Sequence, residues 1–151
     1  MADPEIINWY RYSDGLTTSG QPNEAQLKEI AALGVNHVIN LALHTHELAL
    51  PDEAASAAAL GMRYTHIPVA FDAPTEADFD AFCLVMEAHK EEIIHVHCIM
   101  NWRVTAFLYR YQRDVLHIDE PESRSDMEHI WSPSASDDPR ARVWVAFLAP
   151  R

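Results

Sequence analysis

The chain reads as an α/β domain in which a mostly parallel central sheet is flanked by helices and preceded by an N-terminal hairpin. Three features predict this class. Short apolar runs suited to strands buried on both faces alternate with segments of helical period, the helices carry start or stop signals, and the first twenty residues form two strand-like runs around a turn. With 151 residues, 48% of them hydrophobic and 23% charged, residues 1–151 are expected to form a single domain that buries roughly 70% of its unfolded surface. There is no internal repeat, low-complexity tract or Gly/Ser linker to divide it.

Trp9 to Tyr12 and Leu16 to Ser19 flank the turn signal Ser13-Asp14-Gly15, which predicts the antiparallel hairpin. Asn23 can cap a helix with Gln26 three residues on, and Gly34 closes it, bracketing Glu24 to Leu33. Val35, Val38, Ile39 and Leu41 make the first core strand. Ala54 to Leu60, with Gly61 behind it, reads as a small-residue helix, and Met62 to Val69 as the next strand. Thr75 caps a third helix with Phe79, Phe82, Cys83 and Met86 on one side, and Ile93 to Cys98 is the strand that follows. A helix runs from Val104 to Asp114. The stretch from Asp119 to Asp138, rich in Ser, Asp, Glu and Pro, is the loosest, with Ser125 and Glu128 as a capping-box signal. A C-terminal helix starting at Asp138 as cap and Pro139 as first residue should pack Trp144 and Phe147, with Trp131, onto the sheet.

Strands alternating with helices imply right-handed crossovers and a ligand crevice beyond the carboxyl ends of the strands. The loops Leu41 to His46, Val69 to Pro74 and Cys98 to Arg103 should converge there.

Composition narrows the function. Eleven Lys and Arg against 23 Asp and Glu give a net charge of −12, which opposes nucleic-acid and membrane-surface partners. The acidic start Asp3-Pro4-Glu5 differs from a basic secretory leader and no segment has the length of a membrane span, so a cytoplasmic location is expected. Two cysteines make no disulfide framework, and both are expected as thiols, Cys83 in the core.

Cys98 ends an apolar strand, Ile99 to Trp102 form a loop, and a helix begins beyond Arg103. Inward N–H groups and the positive end of a helix favour an anion there, including a thiolate nucleophile. Arg103 offers a planar cation that can clamp two oxygens of an oxyanion, and Thr105 stands where it could donate to the sulfur. Packing alone is the competing reading for a cysteine, but strand end, preceding histidine, following arginine and helix start coincide at Cys98. Asp72, past the second core strand on the same sheet edge, is the candidate general acid, although turn chemistry around Asp72-Ala73-Pro74 explains it equally. Asp78 suits the first turn of the Thr75-capped helix.

With these residues in view, the chain resembles the cysteine-dependent protein tyrosine phosphatases, in particular a small dual-specificity-like group found in bacteria. The stretches that carry the likeness are Ser19-Gly20-Gln21-Pro22, Val38-Ile39-Asn40-Leu41, Ile67-Pro68-Val69 with Phe71-Asp72-Ala73-Pro74, and Val96-His97-Cys98 to Arg103. The resemblance implies a phosphatase-like fold and a Cys98 that attacks phosphorus to form a phosphocysteine. It further implies that the backbone of Ile99, Met100, Asn101 and Trp102, with Arg103, holds the phosphoryl oxygens, and that an aspartate protonates the leaving group. The implied partner is a phosphorylated substrate or a small oxyanion such as phosphate or sulfate, with no cofactor.

The chain departs from the family pattern in spacing. The family places five residues between Cys and Arg, and here four stand between Cys98 and Arg103. Aligned on Cys98, Thr105 keeps the hydroxyl position and Asn101 takes the glycine position, which Asn serves by tolerating positive φ. The arginine is thereby turned by about 100° on the helix. A Cys-x4-Arg loop also looks like that of rhodanese-type sulfurtransferases, where the cysteine carries a persulfide. A third reading is a silent phosphatase relative that binds anions or a partner, its pocket partly blocked by Met100 and Trp102.

His95 and His97 share a strand face, and His44 and His46 lie at the same sheet edge, but a metal site would need long-range convergence and none is expected. His97 is read as orienting the Cys98 loop by hydrogen bonding. No helix shows a second apolar stripe that would name an oligomer.

Overall fold

The computed structural model describes residues 3–150 and contains a five-stranded sheet with helices on both faces. The strands are β1 (Tyr10–Ser13), β2 (Leu16–Ser19), β3 (His37–Asn40), β4 (Arg63–His66) and β5 (Ile94–His97). Their spatial order is β1-β2-β5-β3-β4. Only β1 is antiparallel to its neighbour, with a bulge between Arg11 and Ser13, so the sheet is mostly parallel and opens with the expected hairpin.

The helices are α1 (Glu24–Ala32), α2 (Glu53–Ala59), α3 (Glu76–Ala88), α4 (Trp102–Asp114), α5 (Glu120–Glu128) and α6 (Ala141–Leu148). Successive residues of a strand face opposite sides, so Val38 enters one apolar cluster and Ile39 the other. Val38 packs with Leu27 and Ile30 of α1 and Ala57 of α2. Ile39 and Val96 pack with Phe79 and Phe82 of α3, Phe107 of α4 and Trp144 of α6. Both capping boxes form: Asn23 with Gln26, and Thr75 with Asp78.

Several boundaries differ from expectation for local reasons. The strand expected over 62–69 pairs with β3 only across Arg63–His66, because Pro68 has no N–H to give to the ladder. Ile67 and Val69 on either side of it still bond Asn40 O and Leu41 O. Helix α2 begins one residue early, at Glu53, because Asp52 accepts the Ala55 N–H at 3.1 Å. Helix α4 likewise begins at Trp102 rather than Val104.

The stretch expected to be loose carries α5, which starts after Asp119 with Pro121 and two acids in its first turn, a proper helix start. Ser125 lies inside that helix and caps nothing. The last helix begins at Ala141 rather than Pro139, although Asp138 still shapes its entry by accepting the Arg140 N–H at 2.9 Å and pairing with the Arg140 guanidinium at 2.7 Å.

Candidate active site

The loops after β3, β4 and β5 meet at the carboxyl edge of the sheet around a cavity of about 490 Å³. Thr45 and His46 come from the first loop, Phe71 and Asp72 from the second, and Cys98, Trp102 and Arg103 from the third. Cys98 is 1% exposed and forms part of the cavity lining. The parallel register brings the ends of β3 and β5 level, since Asn40 stands beside His97. The three sequence-distant loops therefore open at the same height.

The Cys98 loop turns at Asn101, which has φ 66° and serves as N-cap of α4. Its side-chain nitrogen donates to Asn8 O at 2.8 Å and Thr18 Oγ1 at 2.9 Å, while the Asn8 side chain donates back to Met100 O at 2.9 Å. Two asparagines thus hold the loop against the N-terminal segment. Among the described residues, the N–H groups of Ile99, Met100 and Asn101 donate to no protein acceptor, and the first backbone bond of α4 is Thr105 N–H to Asn101 O at 3.2 Å. The loop and the first turn of α4 therefore present amide donors with no partner among the described residues. The Thr105 hydroxyl donates to Asn101 O at 2.9 Å, so it braces the loop backbone rather than reaching for the sulfur.

Gly20 supports the loop from below. A Cβ there would stand 2.3 Å from Ile99 O and 2.9 Å from the Ile7 side chain. The next residue, Gln21, gives its N–H to Ile99 O at 3.0 Å.

His97 is fully buried, with Nδ1 3.1 Å from Cys98 O and Nε2 2.6 Å from Glu53 Oε2. Gln21 donates to the other oxygen of Glu53 at 3.0 Å. Burial alone would raise the Glu53 carboxyl, but the hydrogen bonds and charge of His97 and the bond from Gln21 hold it below the usual carboxylate range. His97 is legible in the sequence beside Cys98, whereas Glu53, at a helix start, carries no sign of a partner 44 residues away.

Arg103 is 8% exposed; its Nη1 donates to Val69 O at 2.8 Å, and its guanidinium lies 5.8 Å from the centre of Phe71. One of its five N–H groups is thus fixed on the neighbouring loop. Asp72 lies in the same cavity wall, next to Phe71, whose carbonyl accepts from Trp144 Nε1 at 2.7 Å. Trp102 and Met100 both line the cavity; the Trp102 ring stacks on Trp131 at 5.2 Å and 9°, and Met100 is partly exposed. A second guanidinium, Arg140, also lines the cavity and sits 4.6 Å from the Phe71 ring. Its signal was masked because Asp138-Pro139-Arg140 reads as a helix start.

The other histidines at this edge are occupied within the protein. Buried His95 lies 2.8 Å from both Thr17 Oγ1 and Ser19 Oγ and stacks on Trp9. His44 stacks on His66 at 3.7 Å. Cys83 is half-buried on α3, against the core. Among the described residues, the groups near enough to share an ion are His37, His89 and Glu92, at the opposite end of the sheet. No described helix is long and apolar enough to cross a membrane.

No family profile matches the chain. A crystal structure from Shewanella putrefaciens named "Putative phosphatase (DUF442)" superposes with a TM-score of 0.80 at 30% identity, covering 95% of this chain and 90% of that one. The chain belongs to the DUF442 family. This DUF442 chain is also 36% identical over 138 residues to a "Beta-lactamase hydrolase-like protein" of Agrobacterium fabrum, covering 89% of itself but 31% of that protein. It therefore spans about a third of the length of the curated relatives it matches. Its fold is shared with P. aeruginosa TpbA, solved in complex with pTyr, at a TM-score of 0.70 and 22% identity over 94% of this chain and 83% of that one. The fold is protein tyrosine phosphatase-like, as in TpbA and Tk-PTP.

Proposed function

We propose that this DUF442 chain is a cysteine-dependent phosphomonoester hydrolase of the tyrosine or dual-specificity type. The observation that carries the reading is the meeting in one cavity of Cys98, partnerless loop amides, Arg103 and Asp72. Cys98 Sγ, as thiolate, attacks phosphorus. An S–P bond forms as the P–O bond to the leaving group breaks, and Asp72 gives its proton to the departing oxygen. The phosphoryl oxygens lie against the 99–102 amides and the N–H groups of Arg103 not engaged by Val69, where developing charge meets fixed donors. Water, deprotonated by Asp72, then attacks phosphorus and releases phosphate with the Cys98 thiolate. His97, braced by Glu53, positions the loop and touches no substrate.

An aryl phosphate suits the cavity, since Phe71 and Trp102 supply an aromatic wall and Arg140 a second cation. The pTyr bound by TpbA supports the same class. Hydrolysis of a chromogenic aryl phosphate by the wild-type chain and by Cys98→Ser tests the reading. Turnover that disappears in a folded Cys98→Ser variant is expected; equal turnover in both sinks it.

The Val69 bond of Arg103, together with the four-residue spacing, favours one second reading, sulfur transfer. There the Cys98 thiolate attacks the outer sulfur of thiosulfate, an S–S bond forms, sulfite leaves, and the persulfide passes its sulfur to a nucleophilic acceptor. A persulfide formed from thiosulfate, with no aryl phosphate turnover, would select it.

A further inference from the structure

At the end of the sheet opposite Cys98, His37 starts β3, while His89 and Glu92 lie in the tight turn between α3 and β5. One ligand atom from each lies within 4.8 Å of the others. Glu92 Oε1 is 2.5 Å from His89 Nδ1 and 3.6 Å from His37 Nδ1. The two imidazoles meet at right angles, 89°, with centres 4.5 Å apart, so both Nδ1 atoms approach one carboxylate oxygen from different directions.

The second observation is His37 itself. Its residue is 1% exposed, and among the described residues its buried Nδ1 has no hydrogen-bond partner, Glu92 Oε1 at 3.6 Å lying beyond hydrogen-bond distance. An orphaned buried ring nitrogen has a cost that an ion in front of it would offset. The other ring nitrogen, Nε2, is 2.7 Å from Thr65 Oγ1 on β4. A hydrogen bond on the far nitrogen is what fixes the tautomer and orientation of a metal-bound histidine. The turn is also held rigidly to β3: Asn36 N–H bonds Ile93 O, and its side chain accepts the Ile93 N–H, each at 2.8 Å. Arg63 pairs with the remaining Glu92 oxygen, Oε2, at 3.2 Å, and leaves Oε1 to face the histidines.

We propose that His37, His89 and Glu92 form a binding site for one divalent cation of the zinc class, pinning the α3–β5 turn to the sheet. Two imidazole nitrogens and one carboxylate oxygen match the borderline-soft preference of Zn²⁺, with ligand bonds of about 2.0–2.2 Å and ligand atoms roughly 3.3 Å apart in a tetrahedron. The His37 to Glu92 separation needs to close by a few tenths of an ångström. Half-exposed His89 can rotate to open its own, and a water completes the fourth position. The site lies a strand length from Cys98, so it acts on stability and not on the reaction.

The test is titration of Zn²⁺ into the chelator-stripped full chain against a chromogenic competitor, with thermal unfolding alongside. The expected result is one Zn²⁺ per chain, a rise in Tm, and at least tenfold weaker binding in His89→Gln and Glu92→Gln, whose positions are exposed enough to keep the fold. Thr65→Val should weaken binding by a smaller factor, and Cys98→Ser should leave the stoichiometry at one. Absence of zinc binding, binding undiminished in both turn variants, or loss in Cys98→Ser would overturn the proposal.

Discussion

Gly20 and Asp72 test the site at the smallest scale. A methyl group at Gly20 would collide with Ile99 O, so Gly20→Ala must displace the Cys98 loop. It should cost about 1–3 kcal/mol in urea unfolding and reduce aryl phosphate turnover more than tenfold; unchanged values for both would mean that the loop is not set by this contact. Asp72→Asn removes the proposed proton donor and should lower kcat by about 10² or more, with less effect on substrates whose leaving group needs no proton. An equal loss for good and poor leaving groups would move the acid elsewhere. His95 gives a pH prediction. Complete burial holds its pKa well below 6.5, with the nearby His97 adding to the shift. The unfolded chain takes up that proton near pH 6.5 and the folded chain does not, so stability is lost as pH falls below that value. Tm should drop between about pH 7.5 and 5.5, and less steeply in His95→Gln, with buried His37 and half-buried His66 sharing the remaining effect. At this scale the sequence was legible in the placement of Cys98 and Asp72, which the order of strands and helices put at one sheet edge and which line one cavity. It was silent where a partner came from far away, as with Glu53 under His97 or Asn8 against Met100.

Helix α6 is the element that ties stability to the site. Trp144 is fully buried among aromatic rings, and its Nε1 holds Phe71 O, one residue before Asp72. Trp144→Ala should cost about 3–5 kcal/mol. Trp144→Phe keeps most of the packing and releases the carbonyl, so it should lower kcat through a looser Asp72 with less loss of stability; a kcat at the wild-type level would show that the bond does not position the acid. The capped helices were readable because Asn23 with Gln26 and Thr75 with Asp78 use short-range hydrogen bonds that spacing reveals. Helix α5 was hidden because its Ser, Pro and acidic residues also suit a loop. What holds it is contact with the rest of the fold, through Met127 and buried Ser123, and a local pattern does not carry that.

For the whole molecule, the alternation of apolar runs with helical segments was enough to imply parallel strands and a crevice at their carboxyl ends. The convergence of the loops after β3, β4 and β5 on Cys98 follows from that topology. The direction of the Arg103 side chain does not, because one residue of loop length decides it and the acceptor, Val69 O, belongs to another loop. Uptake of phosphorus by Cys98 from a phosphomonoester can be examined by intact-mass analysis of protein quenched in acid during aryl phosphate turnover. A phosphoryl adduct that maps to Cys98 and is absent from Cys98→Ser is expected. Turnover without an adduct on Cys98, or a chain that stays unmodified by phosphate esters yet gains a sulfur atom on Cys98 from thiosulfate, would contradict it.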